Sequence, residues 1–302
     1  MTTEPGFIQK LTRLYTFYSP LRKGKYRLAQ ASLRMAGELP GLVKVRTRDG
    51  RTLEVDFRDH LSQLIYFIGE YERPITEIVR AFVRPGSICL DVGANIGWYT
   101  TLMQVLAGPG GEVHAFEPVP GTFSVLSGNV ASNRHPAQVA LNNVALGESA
   151  GTVTMHTFGL LADGHASLSD FGDSAAASVS VPMIVLDHYL EEKGVGPVDF
   201  VKIDIEGAEL SMLKGSARLF AQERPPVIVV EAALETTRGF GYVPDDIVKF
   251  LRDSAAYDFF EVGNEDGKLR RIEGFAPDSI GANVLCVPKD RYPGERAILG
   301  IS

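Results

Sequence analysis

Residues 91–100, which read Asp-Val-Gly-Ala-Asn-Ile-Gly-Trp-Tyr-Thr, constrain the fold more than any other segment of the chain. They follow a short apolar run and precede a helical pattern, so they predict a tight turn between a buried strand and a helix. Glycines in such a turn let the backbone approach a ligand closely, and the start of the helix offers unpaired N–H groups. The segment therefore predicts a nucleotide-like cofactor at the carboxyl end of this strand.

The remainder of the chain from Ser87 alternates short apolar strands with helical segments, which is typical of a parallel sheet covered on both faces. We predict strands at 88–92, 113–116, 138–144, 200–205, 227–231, 259–262 and 282–287. Two further segments, 151–158 and 178–185, alternate in the β manner and predict an inserted antiparallel pair with a loop at its tip. We expect a doubly wound α/β domain over residues 86–302, with the insertion at about 151–185.

The first 85 residues carry a different pattern, which predicts an N-terminal helical and β-hairpin cap. Apolar residues recur at helical spacing over 7–35 with an interruption at Pro20, so two helices are expected there. Alternating segments flank the turn Asp49-Gly50 and predict a hairpin. Two more helical segments, near 60–69 and 74–84, end at Pro85-Gly86.

Composition excludes several classes of protein. The 302 residues are 45% hydrophobic and 22% charged, which fits one large globular unit with additions. A formal charge of −7 argues against nucleic acid as a partner, because phosphate binding needs a basic surface. No apolar run reaches the length of a membrane span and no signal peptide is evident, so we expect a cytoplasmic protein. A homodimer is left open.

The basic residues are concentrated near the N-terminus. Residues 1–36 carry seven basic side chains against the single acid Glu4. The favoured interpretation is a helical cap that packs over the cofactor or shapes the acceptor pocket, with its basic face in water. The alternative is contact between residues 7–35 and an anionic membrane surface.

The glycine turn distinguishes between two cofactors. A dinucleotide site would carry G-x-G-x-x-G, but Asn95 and Trp98 stand where the second and third glycines should be. Asp91 would be an awkward neighbour for a pyrophosphate, whereas it suits a ligand with an ammonium and a sulfonium. S-Adenosylmethionine is therefore favoured over a nicotinamide cofactor and over a purely structural turn. Asp91, Gly93, Asn95 and Gly97 are the candidate contacts.

Glu117 stands at the end of the next predicted strand and is followed by Pro118. An acid about 20 residues beyond the glycine turn can accept hydrogen bonds from both ribose hydroxyls. Since NAD-binding folds use the same device, Glu117 predicts ribose without separating the two cofactors. The alternative is a solvated acid at a strand end.

A second cluster of charged residues follows the strand predicted at 200–205. Asp204 should face the reactive end of the cofactor, because ligands bind at strand carboxyl ends. Lys202 shares its strand face and could pair with an acid or contact the substrate. Asp204, Glu206 and Glu231 converge and would suit Mg²⁺, although Lys202 could supply the compensating cation instead. Glu209 is expected to complement the helix dipole.

These segments resemble, in order, the motifs of the FkbM-type methyltransferases. The resemblance covers about residues 60–287 and rests on 91–100, 116–118, 143–147, 186–187, 201–209 and the strand that ends at Glu231. It implies a class I methyltransferase (Rossmann-like) sheet, mostly parallel with a reversed last strand. It also implies O-methylation of sugars, polyketides or related natural products, and a position for Asn143 near the adenine.

Deprotonation of a hydroxyl acceptor leaves alternatives open. His165 lies in the loop of the insertion and is a candidate general base, with Asp204 and Lys202 as the other candidate catalytic residues. His188 follows Asp187 at a predicted helix start and is the weaker histidine. A nicotinamide-dependent oxidoreductase and a binding module that has lost its chemistry are the competing functions.

Overall fold

The computed structural model describes residues 4–19, 21, 24–35, 41–57, 59–133, 136–157, 177–263, 267–276 and 278–301. The α-helices are α1 (Phe7–Tyr18), α2 (Lys25–Arg34), α3 (His60–Ile68), α4 (Arg73–Phe82), α5 (Trp98–Ala107), α6 (Pro120–Ser132), α7 (Leu186–Lys193), α8 (Glu209–Lys214), α9 (Ala217–Phe220), α10 (Leu234–Thr237), α11 (Pro244–Ser254) and α12 (Pro293–Leu299). The strands are β1 (Leu42–Arg46), β2 (Thr52–Asp56), β3 (Ile88–Val92), β4 (Glu112–Phe116), β5 (Gln138–Asn142), β6 (Ala145–Leu146), β7 (Gly151–Thr157), β8 (Ala177–Ile184), β9 (Phe200–Ile203), β10 (Val227–Ala233), β11 (Tyr257–Val262), β12 (Leu269–Ile272) and β13 (Gly281–Pro288).

The centre of the fold is an eight-stranded sheet in the order β5-β4-β3-β9-β10-β13-β11-β12. The first five strands of that order are mutually parallel, whereas β13 runs antiparallel to both of its neighbours. The predicted doubly wound sheet with a reversed last strand is therefore confirmed. The edge strand β12 was not predicted, because its sequence Leu-Arg-Arg-Ile has no apolar run.

The parallel strands form because they are buried on both faces. The core strands β3, β4 and β9 are apolar over most of their length, and two large clusters of buried side chains pack on the two sides of the sheet. One cluster also contains Val55 and Phe57 of the hairpin together with Trp98 and Val113. The boundary proposed at residue 85 thus remains a prediction, since apolar packing crosses it.

The β1–β2 hairpin forms as predicted and is fastened to α6 by side-chain amides. Asn129 Oδ1 accepts from the Glu54 N–H at 2.5 Å, and Asn133 Oδ1 accepts from the Thr52 N–H at 2.9 Å. These two asparagines lie one helical turn apart, so they satisfy backbone groups along the open edge of β2.

The insertion is a three-stranded sheet in the order β6-β8-β7. β7 and β8 are antiparallel, as predicted, and the two-residue strand β6 pairs with β8 in parallel. His165 lies between β7 and β8, outside the described residues.

The N-terminal helices α1 and α2 pack against each other and against α3. No described helix is long and apolar enough to cross a lipid bilayer.

Candidate active site

A cavity of about 290 Å³ opens at the carboxyl ends of the parallel strands, between β3 and β9. At this point the order of strands reverses, because β4 and β5 lie on one side of β3 whereas β9 and β10 lie on the other. The cavity volume is near the lower end of the volumes of ligand pockets. Gly93, Glu117 and Asp204 line the cavity directly after β3, β4 and β9, and Glu231 lines it from within β10. The position matches the general rule for ligand sites in open α/β sheets.

The glycine turn forms the backbone wall of this cavity. Gly93 has φ +81°, and a Cβ added there would lie 1.8 Å from the carbonyl oxygen of Asp204. Gly97 has φ +89° and precedes α5, where an added Cβ would lie 2.7 Å from Leu126 Cδ1. Asn95 adopts φ +49°, a region that asparagine tolerates better than most residues. The turn therefore requires glycine at two positions and leaves the backbone open to the cavity.

Asp91 lies behind the turn and does not line the cavity. Its buried carboxylate accepts a 2.5 Å hydrogen bond from the Thr100 hydroxyl, and its other oxygen has no hydrogen-bond partner among the described residues. Burial raises the pKa of Asp91, although the Thr100 hydroxyl opposes the shift. Asp91 is the register partner of Lys202 on β9. These contacts give it a supporting position below the cavity.

Glu117 is the acid best placed to bind a ribose. Its carboxylate lines the cavity and accepts backbone N–H groups from Asn95 at 3.0 Å and from Val119 at 2.9 Å. These bonds hold the side chain in place, and each oxygen keeps further capacity to accept a hydroxyl donor. Burial raises the pKa of Glu117 to about 7, against the opposing effect of the two N–H donors.

Pro118 lines the cavity next to Glu117, whereas Asn143 does not. The Asn143 amide donates to the carbonyl oxygens of Glu117 at 2.8 Å and of Pro118 at 2.9 Å. Asn143 therefore anchors the loop that carries Glu117. Its predicted position near an adenine stays a prediction.

Lys202 and Asp204 form an ion pair at the floor of the cavity. The Lys202 ammonium also lies 5.1 Å from the centre of the Tyr99 ring. Burial alone would lower the pKa of Lys202, but the carboxylates of Asp204 and Glu72 raise it above its ordinary value. Lys202 therefore stays positively charged between Asp204 and Glu72.

The three acids predicted to hold a metal are brought together. Asp204, Glu206 and Glu231 each offer a carboxylate oxygen, and these oxygens lie within 4.8 Å of one another. Burial and, after it, the charges of Asp204 and Glu206 together raise the pKa of Glu231 to about 10. One Glu231 oxygen is buried with no hydrogen-bond partner among the described residues. The cluster thus has the donor chemistry of a hard divalent cation site.

Glu72 is a site residue that sequence reasoning missed. It lines the same cavity from the residue before α4, with φ +37°, and accepts a 2.8 Å hydrogen bond from the Tyr99 hydroxyl. Burial raises the pKa of Glu72, with the Lys202 ammonium opposing the shift. The only local signal was an acid two positions before Pro74, which by itself indicates a helix start.

The segment that covers the cavity differs from the one expected. Leu61, Tyr71 and Glu72 line it, but no described residue between 7 and 35 does. Helices α1 and α2 contact α3 instead, so their described residues do not form the wall of this cavity. The expectation that they shape an acceptor pocket stays a prediction. The buried face of α1 is polar and bonds to backbone carbonyl groups of α2 and α3.

Three other candidates, Glu209, His188 and His114, do not line the cavity. Glu209 is buried and accepts N–H groups of Ile205 at 3.0 Å and Gly207 at 3.1 Å, so it fixes the turn before α8. His188 lies on α7 and does not line the cavity. His114 is bonded to the Tyr189 hydroxyl at 2.8 Å.

The chain is similar in sequence to known methyltransferases. Residues 91–259 match the model of the methyltransferase FkbM domain. The chain is 27% identical over 204 residues to the hexuronic acid methyltransferase AglP of Haloferax volcanii, covering 68% of this chain and 75% of that protein. It is 29% identical over 164 residues to the 31-O-demethyl-FK506 methyltransferase FkbM of Streptomyces tacrolimicus, covering 44% of this chain and 60% of that protein, which is less than two thirds. Among solved structures it is similar to fibrillarin of Aeropyrum pernix, with 15% identity, a TM-score of 0.41 and coverage of 83% and 96% of the two chains.

Proposed function

Since this chain belongs to the FkbM methyltransferase family and is an S-adenosylmethionine-dependent methyltransferase, we propose that its acceptor atom is a hydroxyl oxygen. The proposed acceptor is a sugar, a polyketide or a related small molecule or glycan, in keeping with the names of its relatives. The observation that carries the proposal is the placement of a buried Lys202–Asp204 pair and further carboxylates beside a glycine-lined cofactor cavity. Family membership argues against the nicotinamide-dependent oxidoreductase.

The cavity residues fit the cofactor. Gly93 lines the cavity, and because it has no Cβ the backbone carbonyl of Asp204 can lie against the turn, which brings the ends of β3 and β9 together at this site. The Glu117 carboxylate, oriented by two backbone N–H donors, suits the two hydroxyls of the ribose. We propose that Gly93, Asn95 and Gly97 shape this half of the site and that Pro118 borders it.

The carboxylates at the other end of the cavity suit the positively charged part of the cofactor. Asp204 and Glu72 share one neutralising side chain, Lys202, so they leave a net negative potential. S-Adenosylmethionine supplies, when bound, a methyl group that its sulfonium already activates. The chain then has to hold an acceptor hydroxyl in line with that group and remove its proton.

Asp204 and His165 are proposed as alternative proton acceptors, and Lys202 as a residue that assists them. Asp204 is partly exposed to the cavity and is held by Lys202, so it can accept a proton from an acceptor within hydrogen-bond reach. Lys202 stays charged because of its acidic neighbours, so its proposed role is to orient Asp204 and the acceptor oxygen. His165, which lies in the sequence between β7 and β8 and outside the described residues, remains a candidate general base. Unchanged turnover of a His165→Ala enzyme across pH would remove it.

The alternative to a general base is Mg²⁺ held by Asp204, Glu206 and Glu231. The clustering of their oxygens within 4.8 Å supports this proposal. A bound cation would favour the ionised form of Glu231, whose pKa is raised first by burial and then by the charges of Asp204 and Glu206. The cation would lower the pKa of an acceptor hydroxyl bound near it.

Product analysis tests the proposed chemistry. The full chain is incubated with S-adenosylmethionine labelled with ¹³C in its methyl group and with a panel of hexuronic acid glycosides and hydroxylated polyketides. The ¹³C chemical shift of the product separates a methyl group on oxygen from one on nitrogen or carbon. An oxygen-bound methyl group supports the proposal, and a nitrogen-bound or carbon-bound one contradicts it. Tight cofactor binding without transfer to any acceptor would favour the inactive binding module.

A further inference from the structure

Helix α1 buries polar side chains and exposes apolar ones, which is the reverse of an ordinary surface helix. Its buried residues are the polar Gln9, Thr12 and Thr16, at spacings of three and four that form one helical face. Gln9 donates to the Ser32 carbonyl oxygen at 2.9 Å, and the Thr16 hydroxyl donates to the Phe67 carbonyl oxygen. The polar face is therefore the one that attaches the helix to α2 and α3.

The opposite face of α1 is apolar and exposed, and α2 carries further exposed apolar side chains. Phe7 is 75% exposed and Tyr18 is 73% exposed, in contrast to the buried polar face. The exposed apolar residues, which together define the N-terminal apolar face, are Phe7, Ile8, Leu11, Leu14, Tyr15, Tyr18, Leu21, Tyr26, Leu28 and Met35. So many large apolar side chains exposed on two packed helices indicate a site of contact with another molecule or with a membrane.

A basic pocket opens at the edge of this face. A cavity of about 450 Å³ lies between α1 and the β1–β2 turn. Leu14 and Tyr18 of the apolar face line it together with four basic residues, which are Lys10, Arg13, Arg46 and Arg48. Arg13 stacks on the Tyr66 ring at 4.7 Å and Arg48 on the Phe17 ring at 5.1 Å, so these guanidinium groups are held in position.

The excess of basic residues near the N-terminus favours an anionic partner for the N-terminal apolar face. Residues 1–36 carry seven basic side chains and the single acid Glu4, while the whole chain has a formal charge of −7. Two copies of so basic a face would repel each other across a two-fold interface. An anionic lipid surface instead combines an apolar layer for the exposed side chains with phosphate groups for the basic ones.

We infer that the N-terminal apolar face docks on the surface of an anionic lipid bilayer. Its apolar side chains enter the boundary between headgroups and acyl chains, and the basic pocket binds a headgroup phosphate. This is peripheral attachment, since the helices α1 and α2 are 12 and 10 residues long.

Vesicle co-sedimentation of the full chain tests the inference. Vesicles of phosphatidylcholine alone are compared with equimolar phosphatidylcholine and phosphatidylglycerol, at low and high salt. We expect binding to the anionic vesicles, weakened by salt and by the neutral composition. Leu11→Glu combined with Leu14→Glu should abolish binding, and Lys10→Gln should weaken it about fivefold, since each basic residue near the surface contributes about that factor.

The control is Ile298→Glu, because Ile298 is 71% exposed on α12, outside the N-terminal apolar face. It should bind vesicles as the unaltered chain does, and all variants should keep their affinity for S-adenosylhomocysteine, which reports that they are folded. Failure to bind anionic vesicles, or binding that survives the double Leu→Glu change, would overturn the inference. A concentration-dependent dimer in sedimentation velocity that this double change dissociates, without vesicle binding, would assign the face to a second copy of the chain instead.

Discussion

Lys202 and Asp204 lie two residues apart in sequence, and their ion pair forms the floor of the cavity at the carboxyl ends of the parallel strands. The Lys202 side chain is 2% exposed and the Asp204 side chain is 27% exposed, so Lys202 lies in the protein interior and Asp204 faces the cavity. Glu72 reaches the same ammonium from the N-terminal region through its charge, and Tyr99 connects to both. The cofactor site and the segment that covers it are therefore held by one charged network.

The first prediction concerns Lys202→Met. This change leaves Asp204 and Glu72 without their common cation, and removal of one partner from a buried ion pair costs about 3 kcal/mol or more. We expect the free energy of unfolding, measured with urea, to fall by about that amount, and methyl transfer to be lost. The exposed Lys193 is the matched control, and Lys193→Met should change stability by less than about 0.5 kcal/mol.

A double variant tests whether Lys202 and Asp204 interact. Adding Asp204→Asn to Lys202→Met removes an unpaired charge, so the double variant should be more stable than the sum of the two single changes predicts. Additive effects would show that the two side chains do not interact as described.

The second prediction concerns the pH dependence of cofactor binding. Burial raises the pKa of Glu117 to about 7, so the group is mostly protonated below that pH in the empty site. A ligand that donates ribose hydroxyls to the carboxylate favours the ionised form. The affinity for S-adenosylhomocysteine should therefore rise with pH, by up to about tenfold per unit, and level off above about pH 7.

Calorimetric titrations of three variants assign this dependence. Glu117→Gln should bind more weakly and lose the pH dependence. Burial also raises the pKa of Glu209 to about 7, but Glu209 does not line the cavity, so Glu209→Gln should keep the dependence. The exposed Glu148→Gln is the neutral control. An unchanged pH profile in Glu117→Gln would contradict the assigned ribose contact.

The third prediction compares two glycines of similar backbone conformation. Gly93 has φ +81° and Gly110 has φ +79°, so alanine at either position is strained by about 1–2 kcal/mol. A Cβ at Gly93 would also lie 1.8 Å from the Asp204 carbonyl oxygen, whereas nothing lies within 4 Å of one at Gly110. Gly93→Ala should lose more stability than Gly110→Ala in urea unfolding and should alone abolish cofactor binding. Equal losses would show that the close approach to Asp204 is unimportant.

The fourth prediction concerns Mg²⁺. If Asp204, Glu206 and Glu231 hold the cation, saturating Mg²⁺ should raise the thermal midpoint, since about 100 times the Kd adds about 2.7 kcal/mol of stability. Glu231→Gln should remove this shift, and Glu235→Gln, an exposed acid just beyond β10, should keep it. A shift that persists in Glu231→Gln would contradict the site. Full turnover in the presence of a chelator would separate any such binding from catalysis.

The central sheet was predictable from local patterns. Each of the seven strands expected from apolar runs is present, and the acids at their ends meet at one edge because parallel strands end there. The edge strand β12 was missed because strands with one solvated face and two arginines carry little periodic signal.

The segment that covers the cavity could not be predicted in the same way. Glu72 reaches Lys202 across 130 residues of sequence, and such contacts depend on tertiary packing that leaves no local pattern. Periodicity did predict α1 and α2, but not which face would be buried. The polar face of α1 is buried because Gln9 and Thr16 bond to backbone carbonyl groups, a preference that a hydrophobicity pattern does not record.

We propose that S-adenosylmethionine binds in the cavity lined by Gly93, Glu117 and Asp204. A thermal-shift titration of the full chain with S-adenosylmethionine, S-adenosylhomocysteine and NADH tests it most directly. We expect a rise in the thermal midpoint with the two adenosyl ligands alone, and loss of that rise in Glu117→Gln. A rise with NADH alone, or with none of the three, would contradict it.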